Sequence, residues 1–323
     1  MGGKILADGL KAQGVDAIFG VPGESFLALL DGLYDQRDTI RFITCRQEGG
    51  AANMAEAYGK LTGRPGVCVV TRGPGATNAS VGLHTAFQDS TPMILLVGQV
   101  GREMLDREAF QEVNHQIFFS EMSKWSAEIK DASRIPEYLS HAFHVALSGR
   151  PGPVVLSLPE DMLRDLAAVE DAPRAIPVQP APTMEQMSEV REMLKNAERP
   201  LMILGGSGWS PEACRFITHF VEQQDLPVAV TFRCQDRMDN DHSCYVGDLG
   251  IGPNPELHLL VNESDLLIVV GARMGEMTTG GYQLMGIPVP RQKLVHVHSG
   301  AEELGRGIPS GSSNQFIGFQ FRQ

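Results

Sequence analysis

Glu48 is the residue whose type and surroundings can do chemistry. It stands in Arg46-Gln-Glu-Gly-Gly-Ala-Ala-Asn-Met-Ala-Glu-Ala-Tyr58, directly after the β-branched and aromatic run Ile40-Arg-Phe-Ile-Thr-Cys45. That run reads as a strand and the Ala-rich stretch as a helix, so Glu48 falls in the turn between them. A carboxylate placed there faces the unsatisfied N–H groups of the first helical turn and the positive end of the macrodipole. Two readings follow. Glu48 caps the helix, or it is aimed at a ligand, with Gly49, Gly50, Ala51 and Ala52 keeping the surroundings small enough for a flat ring.

Other strand-to-helix turns accompany it. Residues 15–19 read as a buried strand opening into Gly20-Val-Pro-Gly-Glu-Ser25, with a helix over 26–33. Gly66-Val-Cys-Val-Val-Thr71 is a continuous apolar strand, Arg72-Gly-Pro-Gly-Ala-Thr-Asn78 its loop, and residues 79–87 its helix. Residues 4–11 and 136–147 have helical spacing, and residues 93–97 and 153–158 read as further buried strands. Alternating helices and apolar strands predict a parallel sheet covered on both faces, with ligands outside the carboxyl ends of the strands. The Gly20 turn, Glu48 and the segment 73–78 all belong to that edge.

Pro173, Pro177, Pro180 and Pro182 interrupt the periodicity, so a linker is expected over 168–184, separating a first domain at 1–167 from a second at 185–306. The second segment repeats the alternation, with helices over 184–197 and 211–223 and strands over 200–204, 227–231, 265–270 and 293–297. The fold class is therefore α/β, with two doubly wound, mostly parallel-sheet domains. Gly205-Gly-Ser-Gly208 lacks the full G-x-G-x-x-G spacing of a dinucleotide turn, and glycines after strands also serve simply to make room. Residues 307–323 are rich in Ser, Gly and Gln and have neither helical spacing nor a clean strand. They read as an atypical tail, by fraying or by a change of coding frame near Arg306.

Composition narrows the partners. The net charge of -12, with no basic block, argues against nucleic-acid and anionic-membrane surfaces. No apolar run approaches the length of a membrane span, and the N-terminus lacks an export signal. Five widely spaced cysteines read as reduced thiols, which points to a cytoplasmic compartment.

Gly20-Val-Pro-Gly23, the Glu48 segment, Thr71-Arg-Gly-Pro-Gly-Ala-Thr-Asn78, Asp89-Ser-Thr-Pro92, Ala109-Phe-Gln-Glu-Val113 and Arg150-Pro-Gly-Pro-Val154 occur in the order seen in thiamine-diphosphate-dependent enzymes of the acetolactate synthase type. The chain resembles that family from its N-terminus to about Arg306. The resemblance implies a pyrimidine-binding domain followed by a central domain, and a parent reaction in which a 2-oxo acid such as pyruvate is decarboxylated and joined to a second carbonyl. It makes Glu48 the glutamate on N1′ of the cofactor's aminopyrimidine, sharing a proton from a dry pocket in which desolvation weakens its acidity. Val21, Pro22, Thr71, Pro74 and Asn78 then pack on or hydrogen-bond the cofactor rings. Phe110 and Gln111 become pocket residues, with Gln111 facing the reacting oxygen. As bare residues, Phe110 and Gln111 equally read as a buried ring and a solvated amide.

Departures from the family limit what this chain does by itself. The family holds the cofactor's diphosphate through Mg2+, bound by a Gly-Asp-Gly motif and a downstream Asn in a third domain. Gly247-Asp-Leu249 is the nearest match and is rejected, so Mg2+ is expected only through a domain missing from this sequence and the chain by itself is read as incomplete and inactive. Arg150 and Arg273 match residues associated with FAD in acetolactate synthases, but Met274-Gly-Glu276 and His296-Val-His298 depart from the pattern and weigh against FAD. Assembly as a homodimer or homotetramer through the pyrimidine-binding domain is implied. A simple 2-oxo acid decarboxylase, another carboligase, or a non-catalytic remnant that dimerises are the competing readings.

Overall fold

The central strands, at residues 66–71, 93–99, 153–159, 200–204 and 266–270, form where apolar residues run with little interruption, because both faces of each sheet are covered there. The computed structural model describes residues 1–178 and 180–308 and the backbone of 314–318. The chain divides into two compact units, Met1–Pro177 and Val178–Gln323.

In the first unit, α1 (Gly2–Ala12), β1 (Ala17–Gly20), α2 (Leu27–Asp35), β2 (Arg41–Thr44), α3 (Glu48–Thr62), β3 (Gly66–Thr71), α4 (Arg72–Asp89), β4 (Met93–Gln99), α5 (His115–Phe118), β5 (Trp125–Glu128), α6 (Ile135–Leu147) and β6 (Pro153–Pro159) follow one another. The six strands are all parallel, in the order β2-β1-β3-β4-β6-β5. Alternation along each strand feeds two cores. Val67, Val69, Ile94, Leu96 and Leu156 meet α1, α2 and α6 on one face. Cys68, Val70, Leu95 and Val97 meet the alanines of α3 and α4 on the other. Each fully buried aliphatic side chain contributes about 1.5–3 kcal/mol.

The segment 72–78, expected as a loop, is instead the opening of α4. Its Gly-Pro-Gly does not break the helix because Pro74 falls in the first turn, where its missing N–H has no intrahelical partner to lose. After β6, the Gln13 amide donates to Pro173 O at 3.0 Å and accepts from Ala175 N at 2.9 Å, so residues 173–175 are tied to the first unit.

The second unit contains α7 (Met184–Lys195), β7 (Pro200–Leu204), α8 (Pro211–Gln224), β8 (Val228–Thr231), β9 (Tyr245–Leu249), α9 (Pro255–Glu263), β10 (Leu266–Val270), β11 (Lys293–His298) and β12 (Asn314–Gly318). A capping box formed by Thr183 and Gln186 starts α7. The sheet is parallel throughout, in the order β12-β11-β10-β7-β8-β9. Here the expectation of a tail without a strand is corrected. Residues 314–318 pair with β11 from Leu294↔Asn314 to His298↔Gly318, a pairing that backbone groups make without any alternating pattern. The rest of the tail, 309–313 and 319–323, lies outside the described residues.

Candidate functional site

The order β2-β1-β3-β4 sets the carboxyl ends of these strands side by side over about 14 Å, three strand spacings. Chain direction across the sheet reverses between β1 and β3, the place where open α/β sheets bind ligands. Glu48 is the first residue of α3. The cap is its neighbour Gln47, whose Oε1 accepts from Gly50 N at 2.9 Å. Glu48 is thus relieved of capping, and its carboxylate turns toward α4, where Asn78 Nδ2 donates to Oε2 at 3.0 Å. Oε1 accepts no hydrogen bond among the described residues. Glu48 is half-buried, so the first unit alone does not make the dry pocket expected around it.

Thr71 precedes α4, and its hydroxyl meets Ser25 Oγ at 2.7 Å, joining the turns after β1 and β3. Val21 is half-buried; Pro22, Pro74 and Asn78 are exposed around the same edge. The turn after β4 closes in from the other side. Gly73 N donates to Gln111 O at 2.9 Å, and a Cβ on Gly73 would stand only 2.8 Å from Val113 Cγ2 and 2.9 Å from Gln111 O. Glycine is therefore required there by close approach. Phe110, expected as a pocket wall, is 73 % exposed in the described chain. Gln111 holds a left-handed backbone, φ +66°, which aims its side chain by an uncommon turn.

Arg72 ties these turns together. Its Nη2 donates to Glu160 Oε2 at 2.8 Å, its Nη1 reaches Phe110 O at 3.5 Å, and Glu24 Oε1 lies 3.9 Å away. Its own φ of +35° is strained for a side chain of this kind. Behind the Gln111 turn, His115 is buried with Nδ1 2.7 Å from Ser157 Oγ and 3.5 Å from Gln99 Nε2, while Gln99 Nε2 also donates to Val113 O at 2.8 Å. Burial depresses the His115 pKa to about 4. Neither Arg72 nor His115 was marked by the sequence as functional. The signal for Arg72 was its place between Thr71 and Gly73; His115 carried none.

The two arginines matched to a flavin are elsewhere. Arg150 clasps the far end of α4: Nε donates to Ser90 Oγ at 2.9 Å, Nη2 to Phe87 O at 2.5 Å, and the guanidinium lies 5.0 Å from the Phe87 ring centre. An 18-residue helix separates it from Arg72, about 27 Å. Arg273 follows β10 in the second unit. Asp248, in the rejected Gly247-Asp-Leu249, lies in β9 and accepts from Gln235 Nε2 at 2.9 Å. Among the described residues no three His, Cys, Asp or Glu side chains are grouped to hold a metal. No helix among them is long and apolar enough to cross a membrane. All five cysteines are free, and Cys68, Cys234 and Cys244 are buried.

The first unit is a doubly wound parallel α/β sheet with a half-buried glutamate beside its reversal point, and comparison with known proteins says to which family it belongs. The model of the N-terminal TPP binding domain of thiamine pyrophosphate enzymes matches residues 1–118, and that of their central domain matches residues 187–312. The chain belongs to the thiamine pyrophosphate enzymes. It is 33% identical over 307 residues to the acetolactate synthase isozyme 2 large subunit of Escherichia coli, covering 94% of this chain and 55% of that protein. It is 33% identical over 318 residues to a probable acetolactate synthase large subunit of Methanocaldococcus jannaschii, covering 95% of this chain and 52% of that one. With the acetolactate synthase large subunit of Parasynechococcus marenigrum it shares 34% over 314 residues, 94% of this chain and 50% of the relative. The chain spans about half the length of the curated relatives it matches.

Proposed function

We propose that this chain forms the pyrimidine-holding and central parts of an acetolactate synthase-like enzyme that decarboxylates a 2-oxo acid, pyruvate first among them, and joins the product to a second carbonyl. The observation that carries this reading is the Asn78 bond to Glu48 Oε2, which fixes the carboxylate at the β1/β3 reversal and leaves Oε1 for a ligand. Those groups fit an aminopyrimidine: Glu48 would share a proton with its N1′, and Asn78 orients Glu48. Val21, Pro22, Thr71 and Pro74 line the ring's approach. Thiamine diphosphate, when bound, supplies the electron sink that the decarboxylation needs. Phe110 and Gln111 face the substrate from the turn after β4. The diphosphate and its Mg2+ are assigned to a domain other than these two. The half-buried Glu48 and the exposed Phe110 support a site completed by another protein surface, in a homodimer or homotetramer built through the first unit.

Calorimetric titration with thiamine diphosphate and magnesium, with Glu48→Gln as control, tests the reading. Heat of binding in the chain, lost in Glu48→Gln, is expected once the completing surface is supplied. Equal binding by the two proteins would remove Glu48 from the site. A simple decarboxylase or a different carboligase would bind the cofactor alike and be told apart by its products from pyruvate.

A further inference from the structure

The second sheet also reverses, between β7 and β10: β8 and β9 lie to one side of β7, and β10, β11 and β12 to the other. In an open parallel sheet a dinucleotide lies in the crevice outside the strand ends at such a reversal. Its diphosphate rests on glycine N–H groups and on the N-terminus of the following helix. In this unit the crevice falls between Gly205, after β7, and Gly271, after β10, and protein fills it.

Trp209 Nε1 donates to Gly205 O at 2.8 Å and stands 3.3 Å from where a Cβ on Gly271 would be. The indole thus bridges the two strand ends. A Cβ on Gly206 would collide with the Gly271 carbonyl, and one on Gly271 with the Gly205 carbonyl, so the two turns already meet backbone to backbone. Several of their polar groups are engaged as well. Gly205 N donates to Val270 O at 3.0 Å and Gly271 N to Val297 O at 2.8 Å. Arg237 Nη2 donates to Gly206 O at 3.0 Å, and His296 Nε2 to Ala272 O at 2.8 Å. The helix that should receive the diphosphate, α8, has Pro211 at its first position and Ser210 Oγ on Ala213 N at 3.0 Å. A proline offers no N–H, and the cap takes another of the few that an N-terminus offers an anion.

We infer that the second unit takes no FAD or other dinucleotide in this crevice, because Trp209 occupies the space and completes the bonding of the strand ends. The glycines serve the approach of two backbones and the indole. The inference stands apart from the thiamine reading, since it involves no residue of the first unit.

Equilibrium dialysis of the 323-residue chain against FAD, with flavin absorbance read on the protein side, tests it alongside Trp209→Ala. No excess flavin is expected with the parent chain, and about tenfold or more retention with Trp209→Ala. One-to-one retention by the parent, or equal retention by both proteins, overturns the assignment. A second measurement needs no truncation of the indole. The chain has two tryptophans, so in a Trp125→Phe background all indole emission comes from Trp209. ADP is expected to leave that emission and its quenching by acrylamide unchanged; a saturable change with ADP would place the nucleotide against Trp209 and refute the inference.

Discussion

At the scale of single residues, Asn78 decides what Glu48 can do. Its amide is 30 positions away in sequence and reaches the carboxylate only because α3 and α4 pack together, with Gly82 against Ala52. A hydrogen bond to a charged group contributes about 1.5–3 kcal/mol, so Asn78→Ala is expected to weaken thiamine diphosphate binding by about ten- to a hundredfold. Calorimetric titration with thiamine diphosphate measures it, and an unchanged affinity would mean that Glu48 is oriented by something else. His115 carries a pH dependence. Its folded pKa of about 4 lies below the ordinary 6.5, so between those values the unfolded chain holds a proton that the folded chain does not. Stability is therefore complete above pH 6.5 and falls as the pH drops toward 4, by about 3 kcal/mol at most from this residue. Urea unfolding of the first unit across that range is expected to lose this acid limb in His115→Gln; an identical limb in the variant would assign the loss to other groups.

At the scale of elements, the turn after β4 is held by what surrounds it more than by its own sequence. Gly73 N, Gln99 Nε2 and the Arg72 guanidinium each take one of its carbonyls, at Gln111, Val113 and Phe110. Arg72→Gln breaks the Glu160 ion pair and frees Phe110 O; a cost of about 1–3 kcal/mol is expected, with faster amide exchange over residues 101–114 than elsewhere in the unit. Uniformly faster exchange would make Arg72 a general structural residue. Much of this frame was legible in advance. The runs at 66–71 and 93–97 are continuous and apolar, and they are β3 and β4, with their turns at the site. What was not legible depends on pairing partners. Trp125-Ser-Ala-Glu128 is a short edge strand with polar positions, and it becomes β5 only by lying beside β6. The Gly-Pro-Gly of α4 looked like a loop because propensity alone cannot weigh a helix start that β3 delivers in place. Glu48 was legible from its small neighbours, whereas its freedom from capping rests on the Gln47 side chain.

At the scale of the whole molecule, the outer faces of α3 and α4 ask for a cover. Leu61 is 87 % exposed, Val81 57 % and Met54 48 %, in a chain whose net charge of -12 opposes indiscriminate association. Val81 stands close to Gly49, so whatever covers this face also shields Glu48 from water. If a second subunit is that cover, association and cofactor binding are linked, and each strengthens the other by the same factor. Leu61 is a sensitive place to test this, because it lies 13 residues along α3 from Glu48, roughly 20 Å, and cannot touch the cofactor's pyrimidine. Leu61→Glu is expected to shift sedimentation toward monomer and, in the same preparations, to weaken thiamine diphosphate binding by about tenfold, with both effects relieved at high protein concentration. A chain that stays monomeric at high concentration would show that this face is not where subunits meet. Weaker association with undiminished cofactor affinity would show that the subunits do meet there but that Glu48 does not need the second one.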